Sequence, residues 1–574
     1  MTRTSLWFHT GDVRPARRLT AVLVTASMVG GLLVAPGASA QTTTPQTTTQ
    51  TQTTTQSQTP TQTPPAVPAP TVLQTTPPPE PLVGQPLVEV GNGAIQLSLE
   101  QAIAVALRQN LDLASQLYVR EQQRLAIQQA LGIYDLRTDA TLSASEDESD
   151  PENPTLPVSS EEQSLDFGFS QLAPWGGDFS IGVDQRRSSF SFRPGTFRDV
   201  PVTYGGGLTF GYTQPLLRNF GRLATERGLM LAQLDNRISR EEFERQVTLT
   251  IQQVVNAYWD LVGAREQLAV AEESMALARE FHERNRIQVE VGTLAPLELV
   301  QSEAAIAERD EDIISAQATL GDAADELRRL LNLPPGELWE VPINAVTSPE
   351  SAERLTFNVE EAVSTAFAER PELQQQQFQL EQNQINAAFF RNQTRPRLDL
   401  SVSYGSSAGS QEALSDVYSD LFGLDLTGWA TSLVFAYPLQ NRSARAQSAS
   451  ANLGVERSET ELENLQDRIR TEVRQAARRV DTAAKQIEAA RASVRFQERN
   501  LEAERKRYEN GMSTSFEITQ IQEDLTLARS REVNATIAYQ TALTEYYRAT
   551  GTLLEQQGVE LVDPEQPINR FTLF

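Results

Sequence analysis

Two long stretches of the chain carry apolar residues at intervals that alternate between three and four. This heptad spacing is typical of helices that supercoil around neighbouring helices. It predicts long helices over residues 222–290 and 443–509, each about 100 Å long if unbroken. The seam residues that carry the pattern are Val254, Ala257, Leu261, Ala264, Leu268, Ala271, Met275 and Ala278, and then Val473, Ala476, Val480, Ala483, Ile487, Ala490 and Val494.

Strict alternation of apolar and polar residues replaces the helical period in two other segments, 139–213 and 397–437. A period of two is typical of strands with one apolar and one polar face. Such strands suit a half-buried sandwich, or a barrel with lipid outside and water inside, and alternation does not decide between the two. The alternating apolar residues include Phe167, Phe169, Ile181, Val183, Leu208, Phe210, Leu398, Leu400, Val402 and Tyr404.

Shorter helical patterns accompany each long helix. The segment before the strands and the segment after a glycine-containing turn both read as helical, in the first half and again in the second. The predicted shorter helices are 97–133, 298–332, 359–392 and 517–550, and the predicted turns, or tips, are 291–297 and 510–516.

The same order of elements occurs twice because the chain is internally duplicated. Residues around 100 match residues of the second half at one offset, and residues around the two turns match at a second, shorter offset. A solenoid would need three or more shorter repeats. We therefore predict a two-fold repeat, with copies at 86–334 and 357–553 and a connection at 335–356. Matching pairs include Glu100 and Glu360, Arg137 and Arg397, Gly292 and Gly511, and Gln301 and Gln520.

The first copy contains extra alternating sequence that predicts an additional hairpin. Leu165–Phe169 would pair with Phe179–Val183 across the turn at 174–177. If the hairpin joins the wall of a barrel, each chain supplies six strands. We expect instead four core strands, with the hairpin as an elaboration outside the cell.

The two ends of the chain predict export and a tether. Three arginines precede the apolar run Leu19–Ala35, and the small residues Ala38, Ser39 and Ala40 follow it, so residues 1–40 read as a signal peptide. Residues 41–85 are rich in Gln, Thr and Pro and predict a disordered linker. Residues 554–574 form a C-terminal tail. No later segment is long and apolar enough for a transmembrane helix.

Composition excludes several kinds of chemistry. The chain has no Cys, two His and a net charge of −26, so thiol chemistry, zinc-thiolate sites and a nucleic-acid-binding face are not expected. One His, His282, remains after the signal peptide, and we expect it to be exposed and not a metal ligand. We predict no catalytic residues, no metal and no cofactor.

The duplicated order of elements, together with two paired motifs, resembles the TolC family of outer-membrane efflux proteins. The first motif is Gln214-Pro215-Leu216-Leu217-Arg218 with Tyr437-Pro438-Leu439, where strand passes to helix. The second is the pair of turns at 291–298 and 510–517. The resemblance implies an α+β membrane protein of the Gram-negative outer membrane. Three chains would close a β-barrel in the lipid, and this barrel would continue as a long antiparallel α-helical coiled-coil barrel across the periplasm.

The resemblance also implies a function and a set of site residues. The protein would be a passive exit duct of a tripartite efflux or type I secretion system, served by a periplasmic adaptor and an inner-membrane pump. The adaptor-docking turns would be Gly292, Thr293, Leu294 and Ala295 with Gly511, Met512, Ser513 and Thr514. The periplasmic gate would involve Glu298, Tyr508, Glu517 and Gln520. Gln520 replaces an acid of the family pattern, and Ser513 stands where well-known members carry Arg.

A structural protein is the competing class. A coiled-coil envelope tether or adhesin would share the heptads and the Gln/Thr/Pro-rich arm. It would have no reason to duplicate an alternating β segment and a glycine turn at matched positions. An enzyme has the weakest support, because one His offers no Ser-His-Asp arrangement.

Overall fold

The computed structural model describes residues 90–561, except 92, 151, 154–155, 194–199, 350–357 and 425. The predicted signal peptide at 1–40 and linker at 41–85 therefore lie outside the described residues, as do residues 562–574 of the predicted tail.

The described chain is mostly helical and contains two sheets. The strands are β1 (Val90–Gly91), β2 (Ala94–Leu97), β3 (Arg137–Glu148), β4 (Ser159–Leu172), β5 (Asp178–Ser191), β6 (Val200–Pro215), β7 (Ile343–Ala345), β8 (Arg397–Ser410) and β9 (Thr427–Ala436). The helices are α1 (Leu99–Gln109), α2 (Leu111–Leu131), α3 (Arg222–Thr225), α4 (Arg227–Glu290), α5 (Pro296–Leu330), α6 (Glu337–Glu340), α7 (Val359–Glu369), α8 (Pro371–Gln393), α9 (Leu414–Gly423), α10 (Arg442–Glu509), α11 (Ser515–Thr550) and α12 (Leu553–Gln556).

Two long helical hairpins, α4–α5 and α10–α11, pack against each other through α4 and α11. Helices α4 and α10 have 64 and 68 residues. Leu268 and Ala490 of the predicted seams are half-buried, and the other seam residues are buried. Gly263 permits a close approach between α4 and α11, because a Cβ there would lie 2.9 Å from Cγ1 of Ile537.

Local breaks interrupt the shorter helical segments. Segment 97–133 begins in strand β2, changes direction at Asn110 and ends in a 3-10 turn. Asn110 caps α2, because its Oδ1 accepts hydrogen bonds from the backbone of Asp112 and Leu113 at 2.9 and 3.1 Å. Segment 359–392 breaks before Pro371, which opens α8 where a missing amide is tolerated.

A small sheet of order β1-β2-β7 was not expected from the sequence. Strand β2 pairs in parallel with β7, which lies in the predicted connection 335–356. Tyr258 of α4 is fully buried beneath this sheet. Its hydroxyl donates to the carbonyl of Leu97 at 3.1 Å and accepts from the backbone amide of Thr347 at 3.0 Å. The small sheet is thereby fastened to the helical core.

The larger sheet has six strands in the order β3-β4-β5-β6-β8-β9, and all neighbours are antiparallel. The extra hairpin is β4–β5, and it lies between β3 and β6. The expectation of a four-stranded sheet is therefore wrong, because the hairpin is part of the sheet. Direct pairing of β3 with β6 would require the hairpin to leave the sheet. The hairpin instead hydrogen-bonds to β3 on one side and to β6 on the other.

The six-stranded sheet has one apolar and one polar face. One cross-strand row on the apolar face consists of Thr138, Phe169, Ile181, Phe210, Tyr404 and Trp429, and the adjacent row on the other face consists of Arg137, Ser170, Ser180, Gly211, Ser403 and Ala430. Helix α9, which lies inside the predicted β segment 397–437, was not expected. Its Val417 and Leu421 pack on the apolar face beside Gly206, where a Cβ would lie 3.0 Å from each side chain.

A network of charges around the buried Arg370 joins α8, α10 and α11 in the helical region. Arg370 is 5% exposed. Its guanidinium donates to Glu472 at 2.6 Å and to Glu372 at 3.1 and 3.2 Å. Burial raises the pKa of Glu372, but the hydrogen bonds and the charge of Arg370 outweigh burial, so the pKa lies below its ordinary value. Arg548 adds an ion pair with Glu545 at 2.7 Å.

Removal of Arg370 is predicted to destabilise the helical region. The variant Arg370→Ala leaves two carboxylates without their partner. The side chains of Glu372 and Glu472 are 26% and 43% exposed, so we expect a loss of about 1–3 kcal/mol, between that of an exposed pair and that of a fully buried pair. Denaturant unfolding of the purified protein, followed by circular dichroism, measures the loss.

The matched control is Arg474→Ala, because Arg474 pairs with Glu360 at 2.8 Å on the exposed surface of α10. An exposed pair contributes about 0–1 kcal/mol. A carboxyl with a lowered pKa stabilises the folded state above its ordinary pKa of about 4.3, and this contribution is lost as the pH falls through the lowered value. The difference between wild type and Arg370→Ala should therefore shrink in acid. Equal losses in the two variants would contradict the role of this network.

Candidate functional site

The turn between α4 and α5 reverses the chain at Gly292. This residue has φ +79°, a left-handed conformation that favours glycine. Thr293 then closes the turn, since its backbone amide and its hydroxyl both donate to the carbonyl of Gln288, at 2.9 and 3.0 Å. Pro296 opens α5 with its preset φ.

The turn between α10 and α11 uses the same device with different polar contacts. Gly511 has φ +70°. Thr514 and Glu517 form a capping box at the start of α11, with each side chain accepting from the other residue's backbone amide at 3.3 Å. The hydroxyl of Ser513 donates to Glu517 at 2.8 Å and, with the backbone of Thr514, lowers the pKa of that carboxyl.

Both turns expose large apolar side chains. Val291 and Leu297 at the first turn are 68% and 64% exposed, and Met512 and Phe516 at the second are 63% and 68% exposed. Of the predicted docking residues, Leu294 and Ser513 are half-buried, and Gly292, Thr293, Ala295, Gly511, Met512 and Thr514 are exposed. Grouped apolar side chains on a surface are typical of a protein-binding site.

A buried polar cluster joins the two hairpins just above the turns. Asn285 of α4 is 0% exposed and Ser515 of α11 is 2% exposed. The Tyr508 hydroxyl of α10 donates to Oδ1 of Asn285 at 2.9 Å and lies 3.1 Å from Oγ of Ser515. The ring of Phe281 packs against the ring of Tyr508, with 5.4 Å between centroids. Three helices are therefore tied together by one hydroxyl.

Glu298 introduces a buried charge beside this cluster. Its Oε2 is buried without a hydrogen-bond partner among the described residues. Burial and the negative charge of Glu298 raise the pKa of Tyr508, although the hydrogen bond with Ser515 opposes them. The phenol therefore keeps its proton and remains a donor. An unsatisfied buried carboxylate oxygen costs free energy.

The four predicted gate residues do not form one group. The structure brings Glu298 and Tyr508 together between the hairpins. Glu517 caps α11 and is exposed, and Gln520 is exposed one turn further along the same helix.

Sequence reasoning missed Asn285 and Ser515. A signal was present for Asn285, because the three-four spacing of Ala271, Met275 and Ala278 continues to position 285. A lone asparagine in an apolar seam specifies how helices pair.

Charged groups surround the cluster, and the expectation that His282 is exposed is wrong. His282 is half-buried, not exposed, and its Nδ1 lies 2.9 Å from Oγ of Ser302 on α5. Arg284 pairs with Glu280 on its own helix and reaches Glu509 of α10 at 3.9 Å. In the described part of the chain, no three His, Asp or Glu side chains are grouped as metal ligands.

Comparison with known proteins identifies the family. The model of a family described as outer membrane efflux protein matches residues 171–333 and 362–552, which is more than half of the chain. The chain belongs to the outer membrane efflux protein family. This efflux protein is therefore an outer-membrane exit duct for efflux, and its family is a class of channels and not of enzymes.

Individual relatives agree with this assignment. The pyoverdine export outer membrane protein OpmQ of Pseudomonas putida is 23% identical over 380 residues, which cover 64% of this efflux protein and 74% of OpmQ. The CmeC outer membrane channel of Campylobacter jejuni has a TM-score of 0.58 at 17% identity, covering 79% of this chain and 86% of CmeC. CusC has a TM-score of 0.60 at 17% identity, covering 83% and 97%. These structural likenesses show a shared fold.

Among the residues that the structure describes, no helix combines the length and the apolar character needed to cross a bilayer.

The polar cluster generates a prediction about the tips. In Asn285→Leu a side chain of similar size replaces the partner of Tyr508, and a buried hydroxyl that loses a partner costs about 1–3 kcal/mol. We expect hydrogen exchange of the backbone around both turns to accelerate by roughly tenfold or more. Mass spectrometry of the exchanged peptides measures the effect.

Gln520→Ala is the control, because Gln520 was predicted for the gate but lies on the exposed side of α11. Unchanged exchange in this control, with Tyr508→Phe behaving like Asn285→Leu, is the expected pattern. If Gln520→Ala loosens the tips as much as Asn285→Leu, the cluster does not hold them closed.

Proposed function

We propose that three copies of this efflux protein close a common β-barrel in the outer membrane and continue as an α-helical barrel across the periplasm. The observation that carries this proposal is the open six-stranded sheet with one apolar face. Within the described residues, β3 and β9 have a neighbouring strand on one side only, and every residue of both strands is exposed. Lipid cannot satisfy such edges, so another copy must pair with them.

The polar face of the sheet would then line water. Asp139, Asp166 and Asp184 lie on this face, and Asp166 and Asp184 are directly opposite each other on β4 and β5. Like charges in this position repel each other unless water screens them. With a net charge of −26 for the whole chain, the proposed duct is acidic and hydrated.

The helical part supports a barrel with two related halves. At one end of the sheet, α2, α4, α8 and α10 pack side by side in that order. We propose that residues 86–334 and 357–553 are the two copies of one repeat, each supplying two of these helices and one tip. Three chains would then place twelve helices around a common axis.

The tips would meet the other parts of the export system. We propose that the turns Gly292–Ala295 and Gly511–Thr514, with the apolar side chains of Leu297 and Phe516, bind a periplasmic adaptor that connects to an inner-membrane pump. Tyr508 and Glu298, together with Asn285 and Ser515, would hold the closed state. Glu517 and Gln520 would lie at the narrowest aperture, where a three-fold ring of carboxylates favours cations. Transport through the duct is passive.

The duct is tested by conductance and mass. Purified full-length protein in a planar bilayer is expected to give stepwise, cation-selective ion conductance, and native mass spectrometry is expected to give a trimer. A coiled-coil tether or adhesin needs neither property. A monomer, or a trimer that never conducts, would overturn the proposal.

Adaptor docking is tested at the tips. In Phe516→Asp a charge replaces an exposed apolar contact, and loss of an aromatic anchor from an interface costs about 2 kcal/mol or more. Efflux in cells should therefore fall to near the level without the duct, whereas the purified protein should still form a trimer that conducts ions.

Phe516→Leu is the matched control, because it keeps an apolar side chain at the same position and should retain most of the efflux. Loss of efflux in both variants, or full efflux in Phe516→Asp, would contradict docking at this residue.

A further inference from the structure

We infer that the β4–β5 hairpin is part of the lipid-facing wall, so that three copies close a barrel of eighteen strands. This inference rests on the proposed trimer and adds the number of strands and the width of the exit. The alternative is a hairpin that stands outside the wall as an extracellular appendage.

The hydrogen-bond ladder leaves no wall without the hairpin. Strand β4 pairs with β3 from Arg137 opposite Ser170 to Glu148 opposite Ser159. It also pairs with β5 along its whole length, and β5 pairs with β6. Strand β3 therefore reaches the rest of the sheet only through the hairpin. To remove the hairpin from the wall, β3 and β6 would have to give up their hydrogen bonds with β4 and β5 and pair with each other.

The two faces of the hairpin match those of the other strands. Phe169 and Ile181 stand in one cross-strand row with Phe210, Tyr404 and Trp429. Phe167, Phe179 and Ile181 are more than 40% exposed. An appendage surrounded by water would gain nothing from an apolar face on one side only, whereas a lipid-facing wall requires it.

The hairpin turn lies at the same end of the sheet as the helices. Residues Ala173–Gly177 make a short turn, closed by a 2.7 Å hydrogen bond between Ala173 N and the carbonyl of Gly177. The carbonyl of Trp175 accepts from the backbone amide of Gly221, just before α3, at 3.3 Å. The Trp175 indole donates to the Tyr212 hydroxyl at 3.1 Å.

The hairpin therefore begins at the junction with the helices and spans the same height as β3 and β6. The connections at the opposite end are longer, as between β3 and β4 at 149–158. Short turns on the periplasmic side and longer loops outside are typical of outer-membrane barrels.

The perimeter of the helical part fits eighteen strands. Twelve helices at an interaxial distance of 8–10 Å have a perimeter of about 110 Å, and eighteen strands 4.8 Å apart, tilted by about 40°, also need about 110 Å. Twelve strands would need about 75 Å on the same assumptions. The wider barrel therefore meets the helices without a constriction, and its diameter is about one and a half times that of a twelve-stranded barrel.

The absence of cysteine from the chain allows a direct test. Single cysteines are introduced on the apolar face of the hairpin in Ile181→Cys and on its polar face in Ser180→Cys. The matched pair on β6, which belongs to the wall in either arrangement, is Phe210→Cys and Thr209→Cys. Purified trimers in lipid vesicles are treated with a charged, membrane-impermeant maleimide. A second hairpin pair, Phe169→Cys and Ser170→Cys, guards against a variant that fails to fold.

We expect Ile181→Cys to be labelled as slowly as Phe210→Cys, and both to be labelled at least roughly tenfold more slowly than the polar-face variants, because a charged reagent is excluded from hydrocarbon. If Ile181→Cys and Phe169→Cys are labelled as fast as Ser180→Cys while Phe210→Cys stays protected, the hairpin is an appendage and the barrel proposal survives. If Phe210→Cys itself is labelled fast, the sheet is not in lipid, and both proposals are overturned.

Discussion

Every backbone amide and carbonyl in a lipid environment needs a hydrogen-bond partner, and this requirement governs how the sheet can exist. In the described part of the chain, strands β3 and β9 each present an unpaired row of these groups along one side. In water such edges can pair with other chains and cause aggregation, which proteins prevent with charged side chains or bulges. In lipid, each unsatisfied group costs several kcal/mol. In the proposed trimer, the edges of one copy would pair with those of its neighbours and satisfy these groups.

The proposed duct would have to stay closed at one end and yet be able to open, and the composition of the long helices fits this requirement. Most of the seam is apolar and small, with Gly263 and several alanines bringing helices close together. Near the turns the seam becomes polar, and Asn285, Tyr508 and Ser515 replace apolar packing with hydrogen bonds. Hydrogen bonds are directional and exchange readily with water, whereas apolar packing is lost only at the cost of exposed surface. A seam of this composition is rigid over most of its length and can rearrange more easily near the turns, where the gate is proposed.

Periodicity explains which parts of the fold could be predicted. A heptad sustained over some seventy residues has few alternatives, and an alternating segment bounded by glycine and proline is similarly restricted. The small sheet was not predicted, because strands of two to four residues are too short to show a period. The position of the β4–β5 hairpin in the sheet was not predicted for another reason, since alternation identifies strands without identifying the strands that pair with them. Helix α9 interrupts a β segment because the small residues Gly206 and Ala408 leave room for Val417 and Leu421 to pack on the sheet. This packing depends on tertiary contacts, which the local sequence does not show. At the site, both turns were evident from glycine. The cluster around Asn285 depends on which helices meet across the seam.

The parallel pairing of β2 with β7 has a consequence for how the molecule is made. Gln96 and Asn344, which hydrogen-bond to each other at 2.7 Å across these strands, are 248 residues apart in the chain. During synthesis and export, β2 emerges long before its partner, and contacts between such distant residues form slowly because a large loop must close first. The first half of the protein therefore cannot finish folding on its own. Strand β2 cannot pair until β7, in the segment between the two halves, has been synthesised. The core around Tyr258 can therefore become native only after that segment is present.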